Sequence, residues 1–81
     1  VMFVTNDRLL EVAEGMQCKF EFGNLHSRSS LREVASEAQE ELRDLGLPTR
    51  RSLAFVVAKM AIAKWHETIV STQAELGPMA G

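Results

Sequence analysis

Hydrophobic residues recur every three or four positions in the middle of the chain, which is the spacing of one face of a helix. Ser30 and Glu33 match a capping box at the start of this segment. Gly46 ends it and Pro48 prevents its continuation, with Leu47 placed to fold back after the cap. The pattern predicts an amphipathic helix over residues 30–45, and its apolar face comprises Leu31, Val34, Ala35, Ala38, Leu42 and Leu45.

A shorter helix is predicted over residues 6–15. Its apolar residues fall on one side, with Thr5 or Asn6 as the N-cap and Gly15 as the stop signal. The apolar side comprises Leu9, Leu10, Val12 and Ala13.

Hydrophobic and polar residues alternate between these two helices, which is the pattern of a half-buried strand. The predicted strand covers residues 17–22, and Gly23 and Asn24 end it. Met16, Cys18, Phe20 and Phe22 share one face, and Gln17, Lys19 and Glu21 share the other. A single strand cannot satisfy its own backbone groups, so we expect this one to pair with a copy of itself or with another chain.

The C-terminal part of the chain predicts a long helix over residues 49–75, with Thr49 as its cap and no helix breaker before Gly77. Two apolar faces require two packing partners, and the preceding helix is too short to cover both. One stripe comprises Phe55, Ala58, Ile62, Trp65, Ile69, Thr72 and Leu76, and a second comprises Leu53, Val56, Val57, Met60 and Ala61.

These elements predict a mostly α fold, a small three-helix domain with one short strand that spans residues 1–81 and is completed by self-association. We expect a homodimer or a larger symmetric assembly. The partner-interface residues are predicted to be Phe55, Ile62, Trp65, Ile69 and Leu76. The alternative is a monomer in which the N-terminal helix folds over Trp65 and Ile69.

Composition and charge narrow the classes of function. The chain has 81 residues, 46% of them hydrophobic, enough for one small core. Its formal charge of −2 argues against a general nucleic-acid coat or a membrane-surface peptide, although residues 50–66 hold four basic side chains and no acidic one. A single cysteine, Cys18, and the early charges Asp7 and Arg8 predict a cytoplasmic protein without a disulfide. The apolar run over 53–63 is too short to cross a bilayer, so no membrane partner is expected.

Candidate catalytic groups have simpler structural explanations. Cys18 beside Lys19 resembles an activated thiol, but on a strand the two point to opposite faces, and Cys18 is expected to be a buried core residue. Cys18, His26 and His66 match no zinc-ligand spacing. The serines beside His26 are typical of a helix cap. We therefore predict no enzyme activity, no catalytic residues, no cofactor and no metal.

The pattern favours a small helical protein-binding or regulatory module that acts as a homo-oligomer. In this interpretation Trp65 is the central anchor of the interface. The acidic outer face of the second predicted helix is left for another protein.

The order strand, helix, turn, helix, together with the segment from Leu45 to Ser52, resembles the ribbon-helix-helix group of dimeric DNA-binding regulators, which includes many antitoxins. The resemblance implies that two strands pair across a dimer and enter the major groove. It would place Gln17, Lys19 and Glu21 at base edges, and Thr49, Arg50 and Arg51 on phosphate. A DNA-binding regulator or antitoxin is therefore the alternative function.

Overall fold

The computed structural model describes the backbone of residues 4–76 and the side chains of residues 4–72. Over this range the chain forms helices α1 (Asn6–Gly15), α2 (Gln17–Glu21), α3 (Leu31–Asp44) and α4 (Arg51–Leu76). α3 packs against α4, α1 packs against both, and α2 lies against α4 and α1. The prediction of a mostly α fold is confirmed.

Helix α1 covers the predicted range, and Thr5 is its N-cap. The Arg8 backbone N–H donates to Thr5 Oγ1 at 3.2 Å, which satisfies one of the free donors of the first turn. Leu9, Val12 and Ala13 are buried, whereas Leu10, which the sequence placed on the same side, is exposed.

The strand predicted over 17–22 is absent, because Gln17–Glu21 is helix α2. Met16 and Phe20 lie four residues apart, so a helix brings both to one face, and both are buried. Cys18 and Phe22, the other two members of the predicted apolar face, are exposed. A helical turn satisfies its own backbone groups, as the bond from the Phe22 N–H to the Cys18 carbonyl shows at 2.8 Å, whereas a lone strand has no ladder partner.

Helix α3 begins and ends by local signals. The capping box is present, since Ser30 and Glu33 satisfy each other's backbone donors. At the other end Gly46 has a φ of 72°, and the Leu47 N–H donates to the Leu42 carbonyl at 2.9 Å. Together with the bond from the Gly46 N–H to the Arg43 carbonyl, this is a Schellman motif.

Helix α4 begins at Arg51, two residues after the predicted start. The residue before the helix is therefore Arg50, and not Thr49, which was the predicted cap. Its 26 residues correspond to a length of about 39 Å, compared with about 21 Å for the 14 residues of α3, at 1.5 Å per residue. α4 is therefore the long axis against which the other helices pack.

The core-facing side of α4 lies between the two stripes that the sequence predicts. Its fully buried side chains are Ala54, Val57, Ala58 and Ala61. Three of these four are alanines, and small side chains let α1 and α3 approach the α4 backbone closely. From the other elements the core receives Leu9, Val12, Ala13, Met16, Phe20, Leu25, Val34, Ala35, Ala38 and Leu42.

Candidate interaction surface

Trp65, the predicted interface anchor, is covered by its own chain. The Phe20 ring of α2 stacks on the indole with the centroids 5.3 Å apart and the planes inclined by 16°. The indole Nε1–H donates to Ser27 Oγ at 3.1 Å, in the segment between α2 and α3. The side chain is half-buried, and both of its neighbours come from the N-terminal half of the chain.

The other predicted interface residues have mixed surroundings. Phe55 and Ile62 are half-buried and pack against the core, and the Arg51 guanidinium lies 5.5 Å from the centre of the Phe55 ring. Ile69 is half-buried further along α4. The side chain of Leu76 lies outside the described residues. These residues therefore do not form one continuous free face.

A different face of α4 is apolar and accessible. We call Leu53, Val56, Met60, Ala63 and Val70 the outer stripe. At roughly 100° per residue they lie about 120° to 220° around the helix axis from the buried Ala58, on the far side of the helix. Val56 is 40% exposed and Val70 is 64% exposed, whereas Leu53 and Met60 are half-buried at the edge of the core.

The outer stripe corrects the second stripe of the sequence analysis. Val57 and Ala61, which were assigned to it, belong to the core. Ala63 and Val70 were not assigned to it, although they continue its spacing of three and four residues, with Glu67 as the one polar interruption. That spacing is visible in the sequence and was the signal available for finding them.

The second half of α4 leaves the core. The last core residue of the helix is Ala61, and none of residues 66–72 is buried. An open groove on this half is lined by Lys64, Glu67, Thr68, Ser71 and Thr72, all from α4 itself. All the described residues that line this groove come from α4, and Val70 lies on another side of the helix, 64% exposed.

The residues predicted to contact DNA do not converge. Gln17 lies against α4, where its Nε2 donates to the Ala61 carbonyl at 3.1 Å and to the Ala13 carbonyl at 3.3 Å. Arg50 and Arg51 are exposed at the start of α4, about 15 Å from Ala61 along the helix axis by the helical rise.

Of the three remaining residues of the predicted DNA contact, Thr49 and Lys19 are half-buried and Glu21 is exposed. The Thr49 carbonyl accepts from Gln39 Nε2 at 2.7 Å, which ties the end of the connection before α4 to α3. Lys19 lies near Glu37 of α3. The paired-strand geometry behind the DNA-binding alternative is therefore missing from the described residues.

Charged groups on α3 interact across to α2. Burial raises the pKa of Glu37 above its ordinary value, and the hydrogen bond with Glu40 raises it further. The Lys19 ammonium acts in the opposite direction and lowers the pKa. Because a raised carboxyl pKa disfavours the charged form in the folded state, Glu37 contributes more to stability when it is protonated, that is, as the pH falls through its folded-state pKa.

Cys18 is exposed on α2, which corrects the prediction that it is a core residue. Its Sγ–H donates to the Gly15 carbonyl at 3.4 Å. In the part of the chain that is described, no three histidine, cysteine or acidic side chains are grouped so that they could hold a metal ion. Over the same range no helix combines the length and the apolar character that crossing a membrane requires.

Comparison with known proteins identified no relative: no protein-family model, curated protein or solved structure matches this chain.

Proposed function

We propose that this chain is a non-enzymatic helical protein-binding module that acts as a homo-oligomer, with α4 as its docking element. The observation that carries the proposal is the second half of α4, which extends past the core and presents Val70 with 64% of its surface exposed. An extended helix with apolar residues on its free side is a common docking element for another helix.

The position of Trp65 changes which surface of α4 we propose for association. Phe20 and Ser27 already cover the indole, so the predicted anchor is occupied within one chain. The outer stripe is then the more accessible apolar surface of α4, and a second copy docking there would not need to displace α2.

The proposal is tested by light scattering over a range of protein concentrations, on the chain as given and on Val70→Glu. We expect a concentration-dependent rise in mass, and about tenfold weaker association for Val70→Glu because the interface would bury an unpaired charge. Thr68→Glu is the control, since it adds the same charge to an exposed position about 160° around the helix and should leave association unchanged. A monomer at every concentration contradicts the proposal.

DNA binding remains the second candidate on one observation, the exposed Arg50 and Arg51 at the start of α4. Contacts between basic side chains and phosphates release counterions, so affinity for duplex DNA should fall steeply with salt. A titration of mixed-sequence duplex at low salt separates the two functions, because absence of binding there removes the DNA-binding candidate and leaves the protein-binding module.

A further inference from the structure

We infer that the turn over residues 26–29, between α2 and α3, makes one contact of Trp65 sensitive to pH. This turn, which we call the His26 turn, holds Ser27 against the indole while the His26 imidazole is neutral. It releases Ser27 when the imidazole takes up a proton. The inference goes beyond the proposed function and does not depend on it, because every contact involved lies within one chain.

Three hydrogen bonds close the His26 turn. The Ser29 N–H donates to the His26 carbonyl at 2.9 Å, and the His26 N–H donates to Ser29 Oγ at 2.9 Å. The third bond runs from the Arg28 N–H to His26 Nδ1 at 3.2 Å. Because this third bond uses the imidazole as its acceptor, the conformation of the turn depends on the charge of that ring.

The bond to Nδ1 needs a neutral imidazole. A ring nitrogen that accepts a hydrogen bond carries no proton, so the proton of the neutral ring is on Nε2. Protonation makes Nδ1 a donor as well, and it can then no longer accept from the Arg28 N–H. Histidine is the side chain whose charge ordinarily changes between about pH 5 and 8. Acidification within that range therefore removes the bond and adds a positive charge two residues from Arg28.

Ser27 transmits this change to α4. It lies between the two residues that the bond joins, and its Oγ accepts from the Trp65 Nε1–H at 3.1 Å. On either side of the turn the chain is held without the imidazole, since Leu25 is buried and Ser30 belongs to the capping box of α3. The change is therefore confined to the turn. The Phe20 stack stays in place, and one edge of the indole becomes open to water.

Other charged side chains near the turn determine the controls. On the elements next to it, those nearest in the chain to the turn or to Trp65 are Lys19 and Glu21 on α2, Arg32 and Glu33 on α3, and Lys64, His66 and Glu67 on α4. His66 is the second imidazole, so its titration must be separated from that of His26. The contribution of Glu37 must also be separated, because its raised pKa makes the folded chain more stable as the pH falls, opposite in sign to the effect of the turn.

A proton NMR titration from about pH 8 to pH 5 tests the inference on the unaltered chain. The chain has one tryptophan, so a single indole N–H resonance is expected and needs no labelling to identify it. We expect this resonance to shift upfield with the same midpoint as the ring protons of His26, as the bond to Ser27 is lost. An indole resonance that does not move over this range overturns the inference.

His26→Asn is the matched variant, because an asparagine side-chain oxygen accepts the N–H two residues along the chain and does not titrate. It should keep the turn closed throughout, so its indole resonance should not shift. His26→Ala has no acceptor and should give at pH 8 the indole position that the unaltered chain reaches at pH 5. His66→Asn should titrate like the unaltered chain. Both histidines are exposed, so these substitutions leave the core intact.

Urea denaturation at the two ends of this pH range gives a second readout. Taking the difference between the unaltered chain and His26→Asn cancels the contribution of Glu37. The unfolded chain takes up the proton more readily than the closed turn, so stability falls as the pH falls. The unfolding equilibrium constant of the unaltered chain should rise about fivefold relative to His26→Asn, which corresponds to the loss of one hydrogen bond.

The variants decide which imidazole is responsible. Equal pH dependence in the unaltered chain and in His26→Asn overturns the inference, as does a pH dependence that disappears only in His66→Asn. Neither result affects the proposed function, which is tested by the oligomeric state.

Discussion

Gly46 is the residue at which α3 ends and the chain turns towards α4. Its φ of 72° lies in the left-handed region, which an L side chain adopts only at a cost. A Cβ there would meet no atom within 4 Å, so the cost comes from the backbone alone. We expect Gly46→Ala to lower the free energy of unfolding by about 1–2 kcal/mol, measured by urea denaturation.

Gly15 provides the matched control for that substitution. It is the last residue of α1, it has no positive φ, and a Cβ there would lie 3.7 Å from Glu41 Oε1, an ordinary contact. Gly15→Ala should therefore raise the free energy of unfolding by about 0.4–1 kcal/mol through a less flexible unfolded chain. If both substitutions changed the free energy of unfolding in the same direction and by the same amount, the explanation from the positive φ of Gly46 would be contradicted.

At the scale of elements, α2 is held to α4 by the stack of Phe20 on Trp65 and by the bond from Gln17 to the Ala61 carbonyl. Trp65→Ala removes the stack with Phe20 and should cost about 3 kcal/mol in urea denaturation, at the lower end for a tryptophan because the side chain is half-buried. Ser27→Ala removes only the acceptor of the indole N–H, so a cost of about 1 kcal/mol or less is expected.

The Trp65→Ala variant also separates two roles of the indole, one in internal packing and one at an interface with another chain. If Trp65→Ala unfolds at the same urea concentration as the unaltered chain but no longer associates, the tryptophan is an interface residue, as the sequence first indicated, and its packing on Phe20 contributes little. A loss of stability identifies it as part of the internal packing.

The elements differ in how far sequence could predict them. α3 follows from local signals, since Ser30, Glu33 and Gly46 fix its ends whatever packs beside it. The secondary structure of the segment after Gly15 could not be assigned from the sequence. Every second residue shares one face of a strand, so that face also contains residues four apart, which share one face of a helix. Met16 and Phe20 satisfy both a strand and a helix, and only packing against α4 decides between them.

The sequence pattern also could not identify which face of α4 is buried. The first half of the helix is apolar on nearly every side, so a spacing of three and four residues can be found in more than one register. In the folded chain the side with alanines at 54, 58 and 61 faces the core, because close approach of α1 and α3 needs small side chains there. The spacing of the outer stripe is present in the sequence, but the core face was needed to separate it from the other possible registers.

For the whole molecule, the core is thin. Among the residues that the structure describes, fourteen are buried and six of these are alanines, which remove little apolar surface from water: Ala13, Ala35, Ala38, Ala54, Ala58 and Ala61. A chain of this length is marginally stable on its own, so burial of the outer stripe would add appreciably to its stability.

That argument predicts a melting temperature that depends on concentration. Raising the protein concentration tenfold should raise the Tm of the unaltered chain, because association stabilises the folded state by mass action. Val70→Glu, whose association is expected to be about tenfold weaker, should show a smaller rise in Tm over the same concentrations, followed by circular dichroism. A concentration-independent Tm in both proteins would show that association contributes nothing to folding stability.

The stack of Phe20 on Trp65 gives the molecule an optical reporter. The chain has one tryptophan and no tyrosine, so its near-ultraviolet fluorescence comes from a single indole. Separation of α2 from α4 would expose that indole to water and shift its emission to longer wavelength. A second chain bound on the opposite side of α4 would leave the emission wavelength unchanged. Emission wavelength therefore distinguishes local opening from assembly without any attached dye.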